Sequence, residues 1–375
     1  MIFVAAVGLL AWGYLLLLHG RFWQAGPVLL PSPRGAAATG RVAIIVPARD
    51  EAENIGAAVR SLLAQDFAGR FEVIVVDDRS TDNTGAIARA AGGDDARLRV
   101  IAGAARPAGW SGKLWALAQG VDAAGEADLL LFTDADIIHD PAHLATLAGQ
   151  LAAGGCDLVS EMVRLSVATS TERALVPAFV YFFQLLYPFA WVNRPEQRTA
   201  AAAGGTILVR RQALARIGGI AAMRGALIDD VTLATRIKRG GTIWLGHSAL
   251  AESLRPYPHA SDVWKMIARN AYTQLRHSPW LLAASMMAMA LIWVAPPLLT
   301  LTAAGPARWI ALAAWAAETV SIGPTLRRFR LSPLYALALP AVALFYMAAT
   351  IGSAVDHLRG RGVAWRGRIY RDGTA

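Results

Sequence analysis

The sequence predicts an α/β protein: a mostly parallel sheet flanked by helices, with transmembrane helices at the N- and C-terminal ends. Three observations carry that prediction. Short apolar, β-branched runs alternate with helix-like segments between residues 40 and 260, the pattern of a parallel sheet. Acidic residues recur where those runs end. The longest apolar stretches lie outside that region, in a chain that is 55% hydrophobic and only 17% charged. Its mean hydropathy of +0.40 is too high for an ordinary soluble enzyme and fits a membrane protein with a polar domain.

In chain order, Ile2 to Leu18 carries no charged residue. No basic residue precedes it and His19-Gly20-Arg21 lacks a small-x-small cleavage site, so residues 1–20 are predicted to be an uncleaved anchor. Arg21, Arg34 and Arg41 follow, which by the positive-inside rule places the domain at 40–275 in the cytoplasm, on a multi-pass protein of the inner membrane. Val42 to Val46 reads as a buried parallel strand ended by Pro47. Pro47 to Glu51 is then a turn, and Asn54 to Leu63 a helix. Phe71 to Val76 is a second strand, running into Asp77 and Asp78, and Asp82-Asn83-Thr84 caps the next helix. Arg97 to Ile101 and Leu129 to Phe132 complete the strand series, with a helix at Leu114 to Val121 between them. Thr206 to Val209 is a further strand and Val231 to Lys238 a further helix.

Trp280 to Ala304 carries no charge, and Ser332 to Val355 is apolar but interrupted by Pro333 and Pro340. Both approach the length needed for ~30 Å of hydrocarbon. They define membrane segments within 280–356. Ala307 to Gly323 is shorter and carries Arg308 and Glu318, with Pro324 just after it. Two spans plus an interfacial or re-entrant piece keep the basic tail, 357–375, on the inner side. The net charge of +9 comes largely from arginines beside these segments, Arg327, Arg328 and Arg330, then Arg359, Arg361, Arg366, Arg368 and Arg371. Such clusters anchor a chain against anionic lipid. No basic stripe interleaved with aromatics marks the polar domain, so no nucleic-acid partner is expected. The one cysteine, Cys156, excludes an internal disulfide and sits among apolar neighbours as a packed thiol.

Thr133-Asp134-Ala135-Asp136, directly after an apolar strand, is the most informative stretch. Two carboxylates one residue apart at a strand end can grip a hard divalent cation, Mg²⁺ or Mn²⁺. Ligands of parallel sheets bind at the carboxyl ends of strands, where Pro47, Asp77, Asp78, Asp134 and Asp136 all fall. Trp110-Ser111-Gly112-Lys113 carries one cation into a helix, either a solvated lysine or a phosphate contact. Gly204-Gly205 is an ordinary turn or a place where backbone approaches a ligand. Asp229-Asp230 opens a helix, where acids also serve simply to favour its positive end. Residues 174–192, rich in Phe, Tyr and Trp, read as a buried core helix or as an interfacial helix on the bilayer.

Together these residues resemble the family 2 glycosyltransferases, inverting enzymes with a GT-A fold. The matching pieces are Val46-Pro47-Ala48-Arg49-Asp50-Glu51, Val76 to Asp82, Thr133 to Asp136 and Ile228-Asp229-Asp230-Val231-Thr232-Leu233, in the family's order. Gly109 to Trp115 and Trp264 to Leu275 are similar to the hopene-associated subgroup of hopanoid biosynthesis. The resemblance implies that Pro47, Ala48, Glu51 and Asp78 hold the uridine part of a nucleotide-sugar, a UDP-sugar, with Lys113 near its phosphates. It implies that Asp134 and Asp136 act through Mg²⁺ or Mn²⁺, that Asp230 beside Asp229 is the general base, and that Gly204 and Gly205 border the sugar and the acceptor. Where many membrane members carry Gln/Arg-x-x-Arg-Trp, this chain has Met266, Arg269 and Asn270, so only Arg269 survives. The missing tryptophan argues against a polymerase. The resemblance thus implies a membrane-bound, metal-dependent hexosyltransferase moving a sugar to a lipid hydroxyl, in hopanoid biosynthesis. Ceramide, polyprenyl phosphate or carotenoid acceptors, or a catalytically silent scaffold of the same fold, are the alternatives.

Overall fold

A computed structural model describes residues 1–31 and 40–361, together with the backbone of 363–365 and 368–370. Arg34, Arg366 and Arg371 lie outside the described residues, and only the backbone of Arg368 is within them. The chain divides into two units. One holds Met1–Gly26, Val167–Ala190 and Tyr257–Ala364; the other is built on Pro27–Ser166 and Trp191–Pro256.

The second unit is a sheet flanked by helices. The strands of that sheet are β1 Val28–Leu29, β2 Arg41–Ala48, β3 Arg70–Asp77, β4 Leu98–Ala102, β5 Leu129–Thr133, β6 Ile137–His139, β7 Leu158–Arg164, β8 Thr206–Arg210 and β9 Ile243–Ser253. Their order is β1-β9-β7-β8-β5-β2-β3-β4, with β6 pairing with β9. β2 lies parallel to β3, from Arg41 opposite Arg70 to Ala48 opposite Asp77, and parallel to β5, from Val42 opposite Leu129. Parallel neighbours end on the same edge, so Ala48, Asp77 and Thr133 deliver their following residues to one side of the sheet. The reason for burial is compositional: Val42 to Val46 and Val73 to Val76 are fully buried, as a sheet covered on both faces requires.

At β2 and β8 the structure differs from the sequence expectation. β2 continues through Pro47, which sits opposite Val76. Proline lacks a donor, but its fixed φ suits an extended strand end. The Ala48 carbonyl still accepts from the Asp78 amide at 2.8 Å. β8 runs antiparallel to both β5 and β7, because direction is set by where the chain re-enters the sheet and not by its apolar run.

Helix starts follow local chemistry. The Ser111 side chain caps helix Gly112–Ala123, accepting from the Leu114 amide. Asp82 accepts from the Thr84 amide at 2.9 Å, where helix Thr84–Gly92 begins. Cys156 is buried, and that burial raises its thiol pKa.

The first unit is helical. Pro279–Thr302, of 24 residues, and Pro333–Leu358, of 26, are long and apolar enough to cross a membrane. Ile2–Leu17 has 16 residues, about 24 Å at the helical rise, and so falls short of a full hydrocarbon core. Pro333 and Pro340 stand in the first turns of Pro333–Ala338 and Leu339–Leu358, where a proline starts a helical segment without losing a bond. The aromatic segment folds as Ser170–Leu186, opened by a Thr169/Glu172 capping box. Within this unit Tyr181 Oη meets Ser321 Oγ at 2.7 Å, and Tyr346 Oη donates to the Leu175 carbonyl at 2.9 Å. The Trp12 and Trp293 rings meet edge to face at 5.8 Å.

Candidate active site

The loops after β2 and β3 are laced together. Asp50 stands at φ +50° and its Oδ1 accepts from the Thr81 amide at 2.6 Å. The Asp50 amide donates to Ser80 Oγ and the Glu51 amide to Thr84 Oγ1, at 3.1 and 2.8 Å. Arg49 donates to the carbonyls of Asp78 and Arg79. Asp78 is fully buried beneath these bonds. Pro47, Ala48, Glu51 and Asp78 therefore belong to one preformed wall.

The second wall comes from β5, β8 and two helix starts. Lys113, in the first turn of Gly112–Ala123, extends Nζ to Asp134 Oδ1 at 2.9 Å and to Asp229 Oδ2 at 3.5 Å. Asp229 and Asp230 open helix Asp229–Lys238. Asp230 accepts from the Val231 amide at 2.8 Å and from the Gly204 backbone. A Cβ on Gly204 would stand 3.1 Å from Asp230 Oδ2 and 3.4 Å from Lys113 Nζ, so glycine is what admits the backbone there. The Gly205 carbonyl accepts from the Asp134 amide at 3.3 Å. Pro47, Lys113, Asp134, Gly204, Asp229 and Asp230 line one cavity, with Leu114, Phe132 and Met223 as apolar wall. It encloses about 20 Å³, room for about one water.

Asp136, 5% exposed, is tied differently. Its Oδ2 accepts from Ser253 Oγ at 3.0 Å and from Arg255 Nε at 2.9 Å, while Arg255 Nη2 reaches Glu51 Oε1 at 2.7 Å. Arg255 thus links the second acid of the Asp-x-Asp pair to the first wall, from the chain just beyond β9.

The charge balance is uneven, with more carboxylates than cations. Burial pushes Asp230 up to about 6, and neighbouring Asp229 adds to the shift against Lys113. Burial also raises Asp134; Lys113 opposes that rise, and Asp136 and Asp229 reinforce it. Burial alone would lower Lys113, but Asp134, Asp229 and Asp230 together raise it, so it stays charged. All-oxygen donors with surplus negative charge suit Mg²⁺ or Mn²⁺. Among the described residues no three acid, histidine or cysteine side chains form a ligand group by themselves. An ion held here would take one or two carboxylates and would need further oxygens from a phosphate-bearing ligand.

A buried chain that sequence reasoning missed backs Thr133. Its Oγ1 donates to the Gly205 carbonyl at 3.0 Å, so it accepts from His139 Nε2, also at 3.0 Å. His139 Nδ1 then accepts from His143 Nδ1 at 2.9 Å, and His143 Nε2 and Glu161 Oε2, 2.7 Å apart, share one proton. This assignment follows from satisfying every partner. All four side chains are buried, and they fix the carbonyl that holds the Asp134 amide. Only the i, i+4 spacing of His139 and His143 in the sequence hinted at it.

Burial, with His143 beside it, holds His139 well below its usual pKa. The unfolded chain therefore binds a proton that the native state refuses. The resulting stability is complete above about pH 6.5 and is lost as pH falls below it. Thermal melts across this range should show that acid-side loss in the wild type and a shallower slope in His139→Gln. Broken hydrogen bonds should cost the variant about 1–3 kcal/mol at neutral pH. Identical slopes would overturn the assignment.

Arg269 stands in the helical unit, at the C-cap of helix Ala260–Ala268. Its part in the chemistry rests on the sequence resemblance.

Comparison with known proteins adds three findings. Residues 43–218 match the family described as Glycosyl transferase family 2. The succinoglycan biosynthesis protein ExoU of Rhizobium meliloti (strain 1021) is 46% identical over 66 residues, covering 18% of this chain and 19% of that protein. The match thus spans about a fifth of that relative. Among solved structures, the mannosyltransferase PcManGT from Pyrobaculum calidifontis, in complex with GDP-Man and Mn²⁺, superposes with a TM-score of 0.57 at 23% identity. That superposition covers 96% of this chain and 99% of the other, and it establishes the GT-A fold.

Proposed function

We propose that this chain, which carries a family 2 glycosyl transferase domain over residues 43–218, is a membrane-bound inverting glycosyltransferase. It moves a sugar from a nucleotide-diphosphate donor to a lipid hydroxyl, with hopanoid biosynthesis as the setting the sequence resemblance favours. One observation carries the proposal: Lys113, Asp134, Asp229 and Asp230 converge on a cavity at the carboxyl edge of the sheet. Membrane attachment is supported by the two long apolar helices and by large apolar side chains left exposed on the helical unit, such as Trp280, Leu301 and Trp309. The cytoplasmic face of the inner membrane follows from the positive-inside reading.

In the proposed reaction the acceptor hydroxyl oxygen bonds to the anomeric carbon as the bond from that carbon to the phosphate oxygen breaks. The electron pair leaves with the nucleoside diphosphate, and the hydroxyl proton passes to the Asp230 carboxylate. One base suffices because the leaving group needs no proton. Lys113 holds its positive charge near the departing phosphates, and the Asp50–Thr81 and Glu51–Thr84 bonds keep the nucleotide wall in place. Asp134 and Asp136 would hold a Mg²⁺ or Mn²⁺, which would supply charge neutralisation for the diphosphate. Leu114, Phe132 and Met223 limit water around the base, which favours transfer over hydrolysis. Gly204 and Gly205 border the sugar. Arg269 is assigned to the acceptor by resemblance alone.

Comparative lipid mass spectrometry of cells with and without the gene tests this directly. The expected result is loss of one lipid species heavier than its remaining precursor by a single sugar. An unchanged lipid profile, with a soluble glycoside missing instead, would overturn the lipid acceptor.

A further inference from the structure

Beside the catalytic cavity lies a second concavity of about 370 Å³, between Ile220–Met223 and helix Asp229–Lys238. Arg224 and Arg236 both line it. Among the described residues neither guanidinium has an ion pair or hydrogen bond, although the arginines at 49, 97, 216 and 255 are all engaged. Arg224 is exposed and Arg236 half-buried, so both cations are open to a ligand from solvent. The hydroxyl of Thr232, which also lines the hollow, is spent on the Ile228 carbonyl. The charge there is therefore supplied by arginine alone.

The hollow is held in register with the proposed reaction centre. Met223 lines both cavities. The Arg224 carbonyl accepts from the Ser111 amide at 2.8 Å, and Ser111 caps the helix that carries Lys113. Arg236 lies on the same helix as Asp230, six residues on, about 9 Å along the axis. The hollow is shallow and open to solvent, with room for a phosphate group. Arginine forks match the oxygens of a phosphate and bind it more strongly than neutral donors do.

We propose that Arg224 and Arg236 form an acceptor subsite for a phosphate group, carried by the molecule whose hydroxyl Asp230 deprotonates. The inference rests on reading Asp230 as the base, and it narrows the acceptor to a phosphorylated one. In the proposed function the donor's diphosphate is served separately, by Lys113 and Asp134 in the other cavity together with Asp136. The phosphate belongs either to a lipid headgroup or to a soluble phosphorylated compound, and the chemistry of recognition is the same.

The test uses the full chain in neutral detergent micelles and isothermal titration with three probes: glycerol 3-phosphate, a short-chain phosphatidylglycerol, and UDP with Mn²⁺. In Arg224→Ala and Arg236→Ala the phosphate probe should bind about ten-fold or more weakly, with lysine variants recovering part of the loss and UDP affinity unchanged. Binding of phosphatidylglycerol alone assigns a lipid source, and equal binding of glycerol 3-phosphate a soluble one. Phosphate affinity equal in wild type and variants, or no binding of either probe to the wild type, would overturn the subsite. A parallel fall in UDP affinity would overturn it too, by giving the arginines to the donor. Nucleotide-sugar turnover in Asp230→Asn, measured separately, shows whether a failure lies with the base or with the subsite.

Discussion

Asp230→Asn should lower kcat by about 10²–10⁴-fold, the usual range for loss of a general base, with UDP affinity in the presence of Mn²⁺ left within a few-fold of wild type. Asparagine keeps the shape and an acceptor for the Val231 amide, which bonds Asp230 at 2.8 Å in the native protein. What it loses is the capacity to take a proton. The wild-type pH profile should carry the same signature. Burial and Asp229 push Asp230 up to about 6, and only its ionised form accepts a proton. Thus kcat/KM should rise with pH through about 6 and level off above it. Asp229→Asn should move that limb to lower pH, because it removes a neighbouring negative charge. Full turnover by Asp230→Asn, or a profile flat from pH 5 to 8, would remove Asp230 from the role of base.

Asp134→Ala and Asp136→Ala should abolish the metal-dependent part of donor binding. A metal contributes several kcal/mol where it neutralises phosphate charge, so Mn²⁺-supported UDP affinity should fall by about 100-fold or more. The two variants should differ in what else they disturb. Asp134 bonds Lys113, and its removal leaves that lysine to its existing pair with Asp229. Asp136 anchors Arg255, the residue that also holds Glu51, so Asp136→Ala should also loosen the loop after β2. Asp136→Asn keeps the bond to Arg255 Nε and separates lost metal binding from lost packing. Thermal melts run alongside distinguish an unfolded variant from a folded one that no longer binds. Unchanged Mn²⁺ dependence in both alanine variants would sink the metal assignment.

The parts of the site legible in the sequence are those written locally. Strand runs such as Val42 to Val46 and Leu129 to Phe132 are continuous apolar stretches, and the polar residues that follow them mark strand ends whatever the sheet order. The Asp82-Asn83-Thr84 turn announced the next helix in the same way, whereas the Ser111 cap was seen only in the structure. The cooperation of Arg255 with Asp136 and Glu51 had no such signal. It joins positions more than a hundred residues apart, and no periodicity specifies a partner at that distance. β7 and β9 escaped notice for a related reason: they pair with each other in parallel and lie beyond the run of regularly alternating segments.

Acids at the carboxyl ends of a parallel sheet and apolar helices at both ends of the chain are legible in the residues alone. Both follow from hydrophobic runs and the residues that stop them, which act within a turn or a strand. The tertiary structure alone decided that β8 runs antiparallel and brings the Gly205 carbonyl to Asp134. It alone placed Lys113 between Asp134 and Asp229, and gathered His139, His143 and Glu161 behind Thr133. Strand order and direction depend on which buried faces fit together, and that competition is settled by the whole core at once.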